Sequence, residues 1–209
     1  MSQEQPRREE AEQEHESVKQ EEVSEVQGSS LARKKAVAEF IGGQIFGKDR
    51  KQASVSSEPA SGRANITIGE ALEATVVTAG NKAVDYSDAA AIQAAEVRAT
   101  GRTNIIPGGV AAAAQSAATR NARLTKEEEK TKLAEILAEA SSKLPSDKPV
   151  TRKDAEGVIG AELRNDPNLC TRPGGVAASI AAAARLNQTN STTNTSIGTK
   201  SNDKNSKTI

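Results

Sequence analysis

The sequence is short of the large apolar side chains from which protein cores are built. Only 1% of its 209 residues are aromatic, and tryptophan is absent. Leu, Ile, Val and Phe together remain below the roughly 20% that a globular domain usually carries. Basic and acidic residues balance at 28 each, and a chain without net charge has little reason to expand. The composition therefore predicts a chain that is largely disordered when hydrated but can adopt compact, partly helical states.

The residues that build catalytic and metal sites are equally scarce. His15 is the single histidine and Cys170 the single cysteine, so a Cys–His nucleophile and a zinc site with the usual ligands are both excluded. Phe40, Phe46 and Tyr86 are the only aromatic residues, which disfavours nucleic-acid binding by base stacking. We therefore expect no enzymatic activity, no metal or other cofactor, and no defined small-molecule ligand.

The same scarcities bear on the compartment. A single cysteine cannot form an internal disulfide, which agrees with a reducing environment. No apolar run approaches the roughly 20 residues of a membrane span. Residues 1–20 are polar and acidic, unlike a secretory signal. These features predict an intracellular protein.

What the sequence does contain is one segment written twice. The first copy runs from Val84 to Asn121 and the second from Val150 to Asn187, at a constant offset of 66. The offset pairs identical residues, among them Asp88 with Asp154, Glu96 with Glu162 and Arg98 with Arg164. The residues that define the repeat are Pro107, Gly108, Gly109, Pro173, Gly174 and Gly175. An internal repeat of this length predicts one structural unit per copy.

Each copy has the pattern of a helix, a break at Pro-Gly-Gly, and an alanine-rich helix. Apolar residues recur at helical spacing, and a side-chain oxygen followed by an acidic residue marks each predicted helix start. These starts are Thr67 with Glu70, Asp85 with Asp88, Thr125 with Glu128, and Thr151 with Asp154. The helix predicted after Thr125 carries an apolar stripe made of Leu133, Ile136, Leu137 and Ala140. The predicted fold is conditional all-α, with two tandem helix–PGG–helix repeats between disordered tails.

The predicted helices are weakly held, because most of their apolar face is alanine and little else is large enough to bury much surface. The Pro-Gly-Gly turns could also form a nest for an anion before a helix N-terminus. A helix break is the favoured role, since no basic residue converges on the turn in both copies.

Upstream of the repeats lies the most basic and apolar stretch, Leu31–Lys51. It predicts an amphipathic helix as far as Gly42, which could lie on an anionic membrane or serve nuclear import through residues 33–35. A short fraying helix with a solvated charged face is favoured over both. The stretch also imitates a phosphate-binding loop, but Asp49 stands where Ser or Thr should bind magnesium, which disfavours nucleotide binding.

The doubled PGGVAA units, the Asp-Ala-…-Ala-Glu-(Val/Leu)-Arg segment and the opening MSQEQPRR resemble those of plant seed maturation proteins, a group of the late embryogenesis abundant proteins. The resemblance covers roughly Ile66–Asn187 and the first eight residues. Members often carry a third repeat upstream, and Leu31–Arg63 shows no Pro-Gly-Gly unit. The resemblance implies a nuclear-targeting signal at Gln5, Pro6, Arg7, Arg8 and Glu9.

On this interpretation the chain divides into five parts. They are an acidic disordered head (1–30), a basic amphipathic segment and linker (31–65), two repeat units (66–123 and 124–188), and a disordered Thr/Asn/Ser tail (189–209). The resemblance implies a non-enzymatic protein of the cytoplasm and nucleus that protects cell components during seed maturation and desiccation. We expect it to gain helix as water is lost, to act on client proteins or membrane surfaces without specificity, and to be capable of self-association. The alternative is a constitutive helical module that binds one specific protein partner.

Overall fold

The computed structural model describes residues 29–43 and 65–197, with side chains as far as residue 191. Within these ranges the chain is helical and forms no strand, which confirms the predicted all-α class for this part of the molecule. Helix α1 spans residues 29–43. The others are α2 (Ile68–Ala79), α3 (Tyr86–Thr100), α4 (Val110–Asn121), α5 (Leu133–Leu137), α6 (Ala140–Lys143), α7 (Arg152–Asn165) and α8 (Val176–Ile197).

Three of the four predicted helix starts are confirmed, each as a complete capping box. In each box the first side chain accepts a hydrogen bond from the backbone N–H three residues later, and the acidic side chain accepts one from the first residue's N–H. At the start of α7 these N–O distances are 3.2 and 3.1 Å. The boxes are Thr67 with Glu70, Asp85 with Asp88, and Thr151 with Asp154.

The fourth predicted start, Thr125 with Glu128, is wrong. The chain forms only a 3-10 turn at Glu127–Glu129, and α5 begins at Leu133, after Lys132 donates its N–H to the Glu135 carboxylate at 2.8 Å. The reason is tertiary: the two residues before Leu133 are held in an extended conformation by a pairing described below, so no helix can run through them. The predicted stripe of Leu133, Ile136, Leu137 and Ala140 is nevertheless buried.

The first residues of each half of the fold pair with the other half. The first half, residues 66–121, begins with an extended arm at residues 66–67, and the second half, residues 131–187, begins with one at residues 131–132. Thr67 in the first arm forms an antiparallel bridge with Pro149 of the second half, and Lys132 in the second arm forms one with Ala83 of the first half. Each half therefore depends on the other for the pairing at its helix start.

The helices pack around α3 and α7, which lie side by side across the junction of the halves. Helix α4 packs on α3, α8 on α7, and α2 on α5, α6 and α8. The guanidinium of Arg98 on α3 occupies the position where a Cβ at Gly157 on α7 would stand. Gly157 costs the helix conformational entropy, and this close approach explains its presence.

A single apolar cluster joins the described helices. Nearly half of the buried residues in this cluster are alanine, in keeping with the alanine-rich apolar faces that the sequence predicts. The expectation that nothing large is buried is wrong, however, because several bulky side chains are fully enclosed at the centre. These are Ile68, Leu72, Ile92, Leu133, Leu137 and Ile180.

Helix α1 is docked rather than fraying. Val37 and Ile41 are buried in the common cluster, and Arg33 donates to the Glu70 carboxylate of α2 at 2.6–3.0 Å. Lys34 forms an ion pair with Glu73 one turn along α2. The predicted solvated charged face is thus wrong for Arg33 and Lys34, because α2 presents two carboxylates to them. Of the phosphate-loop imitation, Gly42 lies in α1, and Gly47, Lys48 and Asp49 lie outside the described residues.

Candidate functional site at the junction of the two halves

Two glutamates at repeat-matched positions lie at the starts of the alanine-rich helices. Glu162, near the end of α7, is 1% exposed and accepts backbone N–H bonds from Ala177 and Arg172, both at 2.9 Å. Glu96, near the end of α3, accepts one from Ala111 at 2.9 Å and a longer one from Ile106 at 3.5 Å. A carboxylate is stabilised there by the unpaired N–H groups and the positive end of the helix dipole.

The structure places the two Pro-Gly-Gly segments directly before α4 and α8. Gly108 and Gly174 both have φ of 75°, a conformation that favours glycine. A Cβ at Gly109 would come within 2.8 Å of the Glu96 carboxylate. The nest considered for an outside anion is therefore filled by the chain's own glutamate.

Two asparagines close the arms at the ends of the same helices. Asn187 on α8 accepts the N–H of Ile66 at 2.8 Å and donates to the carbonyls of Ile66 and Val150 at 2.9 and 3.0 Å. Asn121 on α4 makes the matching three bonds, to both backbone groups of Thr131 and to the carbonyl of Val84. Each asparagine thus ties the arm of one half to the helix start of the other.

A lysine–aspartate pair stands at the start of α3, where Lys82 meets Asp88, and at the start of α7, where Lys148 meets Asp154. The two pairs differ in the residue at the helix-cap position beside the aspartate. Burial raises the pKa of Asp88 to about 6, against the opposing effect of the Lys82 ammonium. Burial also acts to raise the pKa of Asp154, but hydrogen bonds from Thr151 and Lys148 outweigh it and the pKa is lowered. The position of Thr151 is occupied in the first half by Asp85, a second carboxylate that repels charge on Asp88.

Asp85 itself is held ionised. Burial acts to raise its pKa, but hydrogen bonds from Lys82, Ser87 and the N–H of Asp88 outweigh it and lower the pKa well below the usual range. Arg172 of the second half lies 3.3 Å from the same carboxylate. The cluster therefore adds an ionic link between the halves.

This arrangement of repeats can be compared with known proteins. The sequence profile of the seed maturation protein family matches residues 66–124 and 131–190, which is more than half of the chain. The chain belongs to this family.

Its relatives in the family carry late embryogenesis abundant names. Late embryogenesis abundant protein 47 of Arabidopsis thaliana is 63% identical over 172 residues, which cover 80% of this chain and 89% of the relative. Protein 31 of the same plant is 59% identical, and protein D-34 of Gossypium hirsutum is 57% identical, each over 162 residues. These two matches cover 74% and 77% of this chain but only 62% and 61% of the relatives, so the chain spans about three fifths of their length. No solved structure matches the chain.

In this family member, the structure brings Gly109 and Gly175 of the repeat-defining residues close to the carboxylates of Glu96 and Glu162. The nuclear-targeting candidate Gln5–Glu9 and His15 lie outside the described residues. Cys170 is exposed, and desolvation and the Asp166 carboxylate raise the pKa of its thiol, which is unlike an activated nucleophile. Among the described residues no group of three metal-ligating side chains forms, and no helix has the length and apolar character to span a bilayer.

Sequence reasoning missed the roles of Glu96, Glu162, Asn121 and Asn187. The signal was present in the repeat itself. Each pair is identical at the offset of 66. Each member also stands beside alanine-rich sequence, where a polar side chain does not contribute to the apolar face of a helix. A buried polar residue must find hydrogen-bond partners, so such positions predict a structural hydrogen bond.

Proposed function

We propose that this chain is a non-enzymatic protective protein of maturing seed tissue, which is largely unfolded when hydrated and folds into the helical structure as water is lost. Its family membership supports the role in seed maturation. The observation that carries the mechanism is the burial of seven carboxylates within the described part of this alanine-rich chain. They are Glu70, Glu73, Asp88, Glu96, Asp154, Glu162 and Asp166.

Each of these carboxylates must leave water when the chain folds in solution. Removing a charged group from water costs several kcal/mol even when it is paired inside the protein. The hydrogen bonds to Glu162 and the ion pairs of Glu70 and Glu73 offset that cost only in part. When water is already scarce, the unfolded chain has lost this hydration too, so the same internal bonds favour the folded state.

The alanine-rich packing acts in the same direction. At about 25 cal/mol per Å² of buried apolar area, a methyl side chain contributes far less than a Leu or Ile. Ordering each residue costs roughly 1–2 kcal/mol of backbone entropy. Drying withdraws the water that competes for backbone N–H and C=O groups, so helix bonds replace bonds to solvent.

The folded chain would act by covering surfaces rather than by turnover. Its exposed residues are mostly charged and polar, and its charges of both signs can pair with those of many partners. We therefore infer non-specific client proteins or membrane surfaces as partners under dehydration, in the cytoplasm and the nucleus.

Circular dichroism of the full chain in dilute buffer and in a dried film tests the folding step. We expect low helicity in buffer and a large gain in the film that reverses on rehydration. Equal helicity in both states would contradict the proposal.

A matched pair of variants tests whether folding matters for protection. The variant E96A/E162A removes the two buried carboxylates that accept N–H bonds at the starts of α4 and α8, while E128A/E156A removes two exposed ones. A dehydrogenase that loses activity on drying is dried with each protein and then rehydrated. We expect E128A/E156A to protect as the natural chain does and E96A/E162A to gain less helix and protect less.

A constitutive helical module that binds one protein partner is the second candidate, and the enclosed cluster around Leu72, Ile92 and Leu137 favours it. Such a core can hold a structure in water. A cooperative thermal transition and slow amide exchange in buffer would support this candidate, whereas collapsed amide dispersion in an NMR spectrum would rule it out.

A further inference from the structure

We propose that two copies of this chain exchange halves, so that the first half of one copy closes on the second half of the other. The partner is a second copy of the same chain, and the surface involved is the junction of the halves. This inference is independent of the protective role, because it follows from how the halves interlock.

The contacts that complete each half come from the other half. Both arms cross the junction, and Asn121 and Asn187 fix them there with three hydrogen bonds each. Further bonds run from Gly69 to Asp147, from Ser141 to Glu73, and from Thr78 to the Gly174 carbonyl at 2.6 Å. A half on its own would leave the groups that bond across the junction without their partners, which is costly for the buried bonds that Asn187 makes to the backbone of Ile66.

The segment between the halves holds neither of them in place. Residues 122–130 are mostly exposed, and the backbone bonds they donate are local, such as Arg123 to Arg120 at 3.1 Å and Lys130 to Glu127 at 3.3 Å. Nine residues can extend to roughly 30 Å. Extending this segment breaks no described hydrogen bond within residues 66–121 or within residues 131–187, so each half keeps its internal bonds when the contacts across the junction open.

Exchange conserves the contacts of the closed monomer. Each half finds in the second copy the same arm, the same asparagine and the same helix faces, so concentration decides between monomer and dimer. Dilution favours the closed monomer because its halves are tethered. Concentration during water loss favours exchange.

Single cysteines on opposite sides of the junction detect this exchange. Ala83 and Lys132 are bridge partners without mutual hydrogen bonds, since the flanking bonds run from Val84 to Thr131 and from Leu133 to Lys82. Such pairs have Cα atoms about 4.5 Å apart, which suits a disulfide. All test chains are full length and carry C170S; one carries A83C and another carries K132C.

The positive control is A83C/K132C in one chain, which forms an intrachain disulfide if the junction is as described. The two single-cysteine chains are then mixed at millimolar concentration, dried, rehydrated and oxidised. We expect the A83C–K132C heterodimer on a non-reducing gel in at least tenfold excess over either homodimer, with mass spectrometry locating the disulfide between positions 83 and 132 of different chains. A heterodimer no more abundant than the statistical excess that random collision gives in an equal mixture would mean that the chains meet by collision only, and the proposal would be overturned.

Discussion

The outer faces of α4 and α8 occupy matching positions in the two halves, yet only one of them is covered. On α8, Ala182 is 3% exposed, and Phe40 and Ile41 of α1 lie near this side of the helix. The matching residue on α4, Ser116, is exposed to solvent. The two copies have therefore diverged in polarity where one has a neighbour and the other does not.

The turns before these helices show the same contrast. Gly174 packs against Thr78, which donates its hydroxyl to the Gly174 carbonyl at 2.6 Å. A Cβ added at Gly108 would meet open space. The two halves share the buried glutamate, the asparagine that binds the arm, and the capping box at the helix start. They differ in how the outer surfaces of these turns and helices are packed.

The shared machinery predicts equal losses from Asn121→Ala and Asn187→Ala. Each removes three bonds to backbone groups at the arms, and leaving such groups unpaired should cost about 3 kcal/mol of unfolding free energy. Thermal unfolding in sucrose, which stabilises the compact state, measures the loss, with N104A at an exposed position as the control. A loss in only one half would mean that the arms are not equivalent.

Variants of the two glutamates should lose unequal amounts of unfolding free energy. Glu162 accepts two bonds at 2.9 Å, whereas one of the two bonds to Glu96 is 3.5 Å long. We expect Glu162→Gln to cost about 2 kcal/mol and Glu96→Gln about 1 kcal/mol, because hydrogen bonds to charged groups are the stronger ones. The same unfolding measurement applies, and E128Q serves as the exposed control. A larger loss at Glu96 would show that the turn geometry does not set the strength of the site.

A larger side chain should destabilise the protein on the covered face of α8 but not on the open face of α4. Ala182→Gln places a long polar side chain beneath α1 and should cost about 1–2 kcal/mol through overpacking, with loss of the helix at residues 29–43. Ser116→Gln extends into solvent and should change stability by less than about 0.5 kcal/mol. Amide exchange of residues 29–43 reports the undocking directly. Unchanged protection of α1 in A182Q would mean that its contact with α8 is unimportant.

The local features of this fold could be predicted from sequence, and the long-range ones could not. Capping boxes such as Thr151 with Asp154 span four residues, so their pattern is visible in the chain. The arms are different, because Asn187 bonds to Ile66 at a separation of 121 residues and no local pattern encodes that partner. The wrong start predicted at Thr125 has the same origin, since the pairing of residues 131–132 with the first half overrides a helical propensity. The docking of α1 depends likewise on Glu70 and Glu73, which are distant in sequence.

The smallest predicted effect concerns the helix cap beside the buried aspartate, which is Asp85 in the first half and Thr151 in the second. Burial raises the pKa of Asp88 from 3.8 to about 6, so the folded state prefers the protonated acid and this group lowers stability as pH rises through that window. Asp85→Thr keeps a helix cap but removes the neighbouring charge. It should therefore lower the pKa of Asp88 toward the depressed range of Asp154 and flatten the pH dependence of stability between about pH 4 and pH 6. An NMR titration of the Asp88 carboxyl carbon measures this shift, with T151S as the control in the other half. An unchanged pKa would mean that burial alone, and not the neighbouring carboxylate, sets the difference between the two halves.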